Sequence, residues 1–376
     1  MSGSDGRPRV PRVVVCVGGG GVGKTSVAAA LGLALARRGR TTLVVSIDPA
    51  RRLAGAMGVP IGGQVTRAAL PGADGRLFGL MPDPRRSLGA LVEFLFTEDP
   101  AARDRVLSSG LYRGLADAAA GVPELVAMNL VVRATARGEF DAVVIDTAPS
   151  RHAIDFVTYP GKLAALLGGR VVAWLANLAA RPAEGERPKR GSGRLLTWGV
   201  ERVQGLVARV TGPILVRDTA SLFRDLAGVR ERFVGLAHGA SELLLGERAS
   251  YALVTAPTAA ARDDAVFLAR KLHKLGRPAG AVVLNRAANR PLAGLDELRR
   301  AGVTPALEAA LAVLEEERAA RAVASETLAC ELAKRFPRVP LLRLPHIEAS
   351  APEAVVRRLS GELDAHVETL WADERR

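Results

Sequence analysis

Short, uninterrupted apolar runs alternate along the chain with longer stretches that have helical periodicity. The runs cover residues 13–17, 42–47, 77–81, 142–145, 251–255, 279–284 and 339–344. Strands buried on both faces have this pattern, whereas a strand with one solvated face alternates polar and apolar positions. Helical patterns lie between them, for example over residues 26–38, 265–275 and 305–336. The sequence therefore predicts an α/β fold with a doubly wound, mainly parallel sheet.

Two stretches between these runs, residues 87–137 and 161–249, have no strand pattern. One amphipathic stripe covers residues 163–178, and a second places apolar residues alternately four and three positions apart at Leu222, Leu226, Val229, Phe233 and Leu236. We predict a helical subdomain inserted into an α/β core of residues 12–86, 138–160 and 250–376, with residues 1–11 as a flexible N-terminus. The stripes either pack a core or face a groove for an apolar partner.

Composition excludes several classes of protein. The 376 residues are 48% hydrophobic and 24% charged, and no apolar run is long enough for a transmembrane helix. The polar first ten residues give no secretory signal, and two distant cysteines, Cys16 and Cys330, make neither a disulfide framework nor a CxxC zinc site. We expect a cytoplasmic protein, either free or peripheral at a membrane, without zinc. The net charge of +13 comes mostly from scattered arginines with only 4% aromatic residues, so we expect no nucleic-acid partner.

A glycine-rich motif follows the first apolar run. Residues 18–25 read Gly-Gly-Gly-Gly-Val-Gly-Lys-Thr and match the phosphate-binding loop G-x-x-x-x-G-K-[ST] between a strand and a helix. Its backbone amides and the helix N-terminus favour phosphate oxygens, Lys24 reaches the β/γ-phosphates, and the Thr25 hydroxyl is a ligand for Mg²⁺. The motif predicts an ATP and Mg²⁺ site formed by Gly18, Gly20, Gly21, Val22, Gly23, Lys24, Thr25 and Ser26.

Two carboxylates follow later predicted strands. Asp48 comes after the run at 42–47 and Asp146 after the run at 142–145. In open α/β sheets, ligands bind at the carboxyl ends of the strands, where both residues would lie. Asp146 has the position of an acid near Mg²⁺, and Asp48 is suited to orient the attacking water. The alternative for each is a helix N-cap, a role that Asp often takes.

At these residues the chain resembles the arsenite-pump and tail-anchored-protein-targeting ATPases, the ArsA-like family. The family patterns G-K-G-G-V-G-K-T, S-T-D-P-A-H-S-L and D-T-A-P-T-G-H correspond to residues 18–25, 46–53 and 146–152. The resemblance implies a P-loop NTPase fold of the SIMIBI type, a switch I at residues 48–50, and adenine contacts from Asn285 together with Arg286. It assigns switch II to Asp146, Thr147, Ala148, Pro149 and His152.

The chain departs from the family patterns at charged positions. Gly19 stands where the resemblance places a signature lysine that reaches the opposite phosphates of a dimer, so hydrolysis is expected to be slow. Arg51, Arg52 and Arg151 replace uncharged residues or histidine near the same site. Either at least one of them supplies the missing positive charge, or all three are surface or structural arginines. A third possibility is a sister subunit that carries the lysine.

Taken together, the motifs and the resemblance predict a Mg²⁺-dependent ATPase with Lys24 and Asp48 as catalytic residues. The resemblance implies a homodimer, or a heterodimer with a related ATPase, whose nucleotide state controls binding of a hydrophobic client or a membrane-protein partner through the helical subdomain. Two alternatives stay open. One is the energising subunit of an anion transporter that does not bind arsenite through thiols. The other is a slow or inactive nucleotide switch paired with a lysine-bearing subunit.

Overall fold

The structure, a computed structural model, describes residues 12–48, 52–109, 112, 122–136, 138–148, 154, 225, 228–287, 299–349 and 351–367. Within these residues the strands are β1 (Arg12–Gly18), β2 (Thr42–Ser46), β3 (Thr66–Arg67), β4 (Leu77–Leu80), β5 (Ala142–Asp146), β6 (Ala249–Thr255), β7 (Ala281–Ala287) and β8 (Leu341–Pro345). The helices are α1 (Lys24–Arg37), α2 (Arg52–Met57), α3 (Pro84–Leu95), α4 (Pro100–Ser108), α5 (Val122–Ala136), α6 (Arg230–Leu245), α7 (Ala259–Lys274), α8 (Pro305–Arg335) and α9 (Pro352–Asp364).

The strands form one eight-stranded sheet in the order β3-β4-β2-β5-β1-β6-β7-β8. All neighbouring strands are parallel except β3, which pairs antiparallel to β4. The chain leaves β1 for the strands on one side and later returns to β6 on the other side. Such a reversal of strand order opens a crevice at the carboxyl ends of the strands. The predicted fold class, a mainly parallel α/β sheet of the P-loop NTPase type, is confirmed.

The core of this sheet contains α1, a helix rich in alanine and leucine. Its residues from Val27 to Ala36 are all buried, because the helix lies between the sheet and α9. Small side chains let the helix approach the sheet closely: a Cβ at Gly32 would collide with a methyl group of Val44 and lie 3.2 Å from Leu77 Cδ1. The position of α1 fixes the loop that precedes it against the end of β1.

This close approach predicts that Gly32→Ala destabilises the protein although alanine is the better helix former. We expect the overpacked methyl group to lower the free energy of unfolding by about 1–3 kcal/mol in denaturant titrations. Gly361→Ala is the matched control, because Gly361 lies in α9 with nothing within 4 Å of an added Cβ. That change should stabilise by about 0.5–1 kcal/mol through helix propensity alone. Equal effects of both substitutions would contradict the close packing of α1.

Contacts divide the chain into two compact units. The first comprises residues 1–83, 130–157 and 242–376 and contains the sheet, and the second comprises residues 84–129 and 158–241. The described part of the second unit is helical and has its own apolar core, in which Val229 and Phe233 pack with residues of α3 and α4. These two members of the predicted stripe are therefore core residues. The domain limits drawn from the sequence stay a prediction, and the stripe at 163–178 lies outside the described residues.

The apolar runs identify seven of the strands, with ends displaced by at most three residues. The sequence-based interpretation misses β3, whose two residues, Thr66 and Arg67, form no apolar run. Among the described residues, no helix is both long and apolar enough to cross a membrane.

Candidate functional site

The glycine-rich loop lies between the end of β1 at Gly18 and the start of α1 at Lys24. Gly21 and Gly23 have φ angles of +71° and +88°, a left-handed backbone that glycine adopts without strain. A Cβ at Gly18 would also collide with the carbonyl oxygen of Val254 on β6. Gly23 is the N-cap of α1 and offers no side-chain hydrogen bond, and the first turn has no acidic residue. The amides at this helix end are thus suited to an anion.

Lys24 is the buried cation of the loop. Its side chain is only 6% exposed, and its Nζ donates a hydrogen bond to the carbonyl oxygen of Gly19 at 2.7 Å. Burial lowers the pKa of the Lys24 ammonium, while the carboxylates of Asp146 and Asp48 act in the opposite direction. A buried ammonium is strongly stabilised by an anionic ligand, because the ligand replaces the water that burial removes.

Asp146 ends β5 and is fully buried beside the first turn of α1. Its Oδ2 accepts hydrogen bonds from Thr25 Oγ1 and Ser46 Oγ, each at 2.8 Å. Its Oδ1 has no hydrogen-bond partner in the part of the chain that the structure describes. Burial raises the pKa of Asp146 to about 6, against the hydrogen bonds from Thr25 and Ser46 and the positive charge of Lys24.

These oxygens fit a hard divalent cation such as Mg²⁺. Thr25 supplies a hydroxyl, Asp146 supplies a carboxylate with one unsatisfied oxygen, and Mg²⁺ prefers oxygen ligands of this kind. The described residues contain no cluster of three or more His, Cys, Asp or Glu that would hold a metal by itself. A cation here would therefore share its coordination with phosphate oxygens and water, as Mg²⁺ commonly does in nucleotide sites.

The other predicted site residues lie at neighbouring strand ends. Asp48 is buried two residues after β2, and its backbone amide donates to Ser46 Oγ at 3.3 Å. Thr147 is buried and its hydroxyl donates to the carbonyl oxygen of Cys16 on β1 at 2.8 Å, while Ala148 is half-buried. Arg52 is exposed at the start of α2. The remaining switch residues and arginines, Pro149, His152, Arg51 and Arg151, lie outside the described residues.

Asn285 is a buried residue near the end of β7 and contacts the loop directly. Its Nδ2 donates to the carbonyl oxygen of Val22 at 2.8 Å, and a Cβ at Gly23 would collide with the same nitrogen. One amide proton of Asn285 is therefore engaged with the loop, and its predicted contact with adenine stays a prediction. Arg286 follows with a φ of +54° at an irregularity of the β7–β8 ladder, and its side chain is exposed.

Comparisons with known proteins agree with this geometry. Residues 11–179 match the family model of the anion-transporting ATPases, ArsA_ATPase. Residues 11–179 are therefore similar to the ArsA-like ATPases. It is 32% identical over 155 residues to the ATPase get3 of Schizosaccharomyces pombe, covering 41% of this chain and 45% of that protein. It is 31% identical over 155 residues to the ATPase GET3 of Rhodotorula glutinis, covering 41% of this chain and 42% of that protein. The matched stretch thus spans less than half the length of these relatives.

Two further residues have a place at this site that no motif in the sequence indicates. Ser46 lies opposite Asp146 in the β2–β5 register and shares its Oδ2 with Thr25. Asp264 of α7 lies over residue 19, since a Cβ at Gly19 would be 2.5 Å from its Oδ2. Knowledge of the strand order would have identified Ser46. No pattern in the sequence connects Asp264 with the loop, because 245 positions separate them.

Proposed function

We propose that this protein is a Mg²⁺-dependent ATPase whose nucleotide state acts as a switch. The observation that carries the proposal is the arrangement of Lys24, Thr25 and Asp146 at an uncapped helix N-terminus that follows a glycine loop. The similarity of residues 11–179 to the anion-transporting ATPases supports the same function. The binding of ATP, its dependence on Mg²⁺ and the rate of ATP hydrolysis can each be measured directly.

Each residue of the site has its own part in this mechanism. The amides of residues 20–25 and the Lys24 ammonium hold the phosphates, and Lys24 then exchanges its bond to Gly19 for the phosphate charge. Thr25 and Asp146 would hold Mg²⁺. A bound Mg²⁺ would neutralise negative charge on the oxygens of the transferred phosphoryl group. Asp48 orients the attacking water and accepts its proton at the carboxylate. Ser46 keeps the Asp146 carboxylate in position by its hydrogen bond.

The switch would act on a partner through the helical unit. The resemblance seen in the sequence supports a dimer that binds a hydrophobic client or a membrane-protein partner. Val229 and Phe233 are not part of such a client surface, because both are buried in the core of that unit. The proposal would be supported if full-length protein retained a hydrophobic helix in the presence of ATP and released it with ADP.

The energising subunit of an anion transporter is a second candidate, favoured by the description of the matching family. Thiol coordination of arsenite is a poor fit, because the chain has two cysteines and Cys16 is fully buried. The two candidates differ in what stimulates ATP hydrolysis. Oxyanions or a membrane subunit would stimulate a transporter subunit, whereas a detergent-solubilised hydrophobic helix would stimulate a client-binding switch.

Calorimetric titration of the full chain tests the common basis of both candidates. We expect saturable binding of MgATP, weaker binding of ATP without Mg²⁺, and release of phosphate in a steady-state assay. Thr25→Ala should reduce the difference in affinity between MgATP and metal-free ATP, because it removes one of the two side chains that would hold the metal. Absence of any heat with MgATP, together with absence of hydrolysis, would refute the proposed function.

Gly19→Lys tests whether the missing lysine limits the rate. A cation delivered across a dimer to the phosphates contributes about 10³–10⁵ in rate in related chemistry, so even partial recovery should raise kcat at least about tenfold. Asp264 must move aside, since its carboxylate occupies the space of a side chain at residue 19. Gly19→Met is the matched control, with similar length and no charge. If both variants have the same kcat, the lysine hypothesis is wrong.

A further inference from the structure

An open cleft of about 750 Å³ lies between α7 and α8 in the first unit. Both walls are helices. At one end of the cleft Arg262 of α7 pairs with its neighbour Asp263 Oδ1 at 3.1 Å and reaches Glu331 Oε2 of α8 at 3.4 Å. The lining residues come from one face of α7 and the last two turns of α8: Arg262, Asp263, Val266, Phe267, Arg270, Glu331, Leu332, Lys334 and Arg335.

The charge of the lining is unequally distributed. Arg262, Asp263 and Glu331 form a contact of mixed charge at the first turn of α7. Arg270 lies eight residues further along α7, which corresponds to about 12 Å of helix. Within the described residues, no carboxylate lies within salt-bridge distance of Arg270, Lys334 or Arg335, and all three side chains are exposed. The cleft therefore carries unneutralised positive charge.

An apolar strip accompanies this charge. Phe267 is 37% exposed, one of the few large apolar side chains in the described residues with that much solvent contact. Val266 beside it is half-buried. Leu332 of α8, which also lines the cleft, is buried. Lys271 Nζ lies 5.4 Å from the centre of the Phe267 ring and holds it in place through a cation–π contact. A concave surface with an apolar strip and flanking cations is complementary to an amphipathic helix with acidic flanks.

We propose that this cleft is a docking site for an acidic amphipathic helix of a partner protein, with an apolar side chain on Phe267 and carboxylates toward Arg270, Lys334 and Arg335. A flat anionic bilayer fits less well, because the cleft is concave. The same cleft of a second copy also fits less well, because both surfaces would present Arg270, Lys334 and Arg335 and repel each other. An acidic partner is attracted by that same charge.

Fluorescence anisotropy with the full chain tests the proposal. The probe is a fluorescein-labelled synthetic peptide of about 15 residues, long enough to form a helix on binding, with leucines at positions i, i+3, i+4 and i+7 and glutamates on both flanks. We expect saturable binding that weakens as salt rises from about 50 to 300 mM, because screening shortens the range of the attraction. A peptide with glutamine in place of glutamate should bind at least about tenfold more weakly.

Variants locate the binding. The double substitution Arg270→Glu and Lys334→Glu should weaken the acidic peptide at least about tenfold, and Phe267→Ala about fivefold or more. The matched control is Arg357→Glu with Arg358→Glu on α9, which alters the net charge equally at exposed positions outside the cleft. We expect the control to change the affinity less than about threefold. Melting temperatures of all variants show whether each is folded.

Three outcomes would overturn the proposal. The first is that the acidic peptide does not bind. The second is that the cleft variants and the control variant lose the same affinity for the peptide. The third is that anionic vesicles or duplex DNA bind more tightly than the peptide and that substitution of Arg270 and Lys334 weakens this binding too. The last outcome would assign the cleft to a membrane or to nucleic acid.

Discussion

Replacement of Lys24 by methionine is expected to abolish ATP hydrolysis. Methionine retains the length and packing of the side chain but removes the one cation that is buried within the loop, so kcat/KM should fall by about 10³ or more. Nucleotide should also lose its effect on the melting temperature. The folded protein itself should be as stable or more stable, because burial already disfavours the Lys24 ammonium.

Lys274→Met provides the control for this substitution. Lys274 is an exposed lysine in the last turn of α7, and its replacement should leave both hydrolysis and the nucleotide-induced rise in melting temperature unchanged. Hydrolysis by Lys24→Met at more than about one tenth of the wild-type kcat/KM would contradict the role of the loop, since it corresponds to a loss below about 1.4 kcal/mol.

Asp48→Asn is expected to separate binding from turnover. The amide keeps the size of the buried side chain but is a much weaker base and cannot take a proton from water at neutral pH. We expect kcat to fall by about 10²–10³, while the Kd for MgATP stays within about threefold of the wild type. Single-turnover measurement of phosphate release, together with calorimetry, provides both values.

The control for Asp48 is Asp74→Asn. Asp74 is exposed in a turn with a φ of +46°, a backbone conformation that asparagine also tolerates. This change should alter neither kcat nor Kd. If Asp48→Asn weakened MgATP binding as much as it lowered kcat, Asp48 would hold the ligand and another group would activate the water.

The sheet was largely predictable because its strands are buried on both faces. Residues 142–145, for example, form an uninterrupted apolar run directly before Asp146, and this run predicts most of β5. The order of the strands could not be predicted, because it depends on pairing between strands that are far apart in the sequence and no local pattern encodes it. β3 escaped prediction because Thr66 and Arg67 make only a short edge pair with β4.

The position of the loop could be predicted to the residue, because the phosphate-binding motif has glycines, a lysine and a threonine at fixed spacing between a strand and a helix. Contacts brought together by the fold could not. Ser46 reaches Asp146 only because β2 and β5 are neighbours, and Asp264 reaches residue 19 only because α7 passes the end of β1. The predicted roles of Asn285 and Arg286 depended on the family resemblance, and the structure shows Asn285 holding the carbonyl of Val22.

The two cysteines differ sharply in chemical accessibility. Cys16 is fully buried in β1, and burial raises the pKa of its thiol, with the carboxylate of Asp146 acting in the same direction. Cys330 is exposed on α8, two residues before Leu332 of the cleft wall. A thiol-specific dye added to the native protein should therefore attach at a single position. The unaltered chain thus has a built-in labelling site from which an optical probe could follow events at α8 in real time.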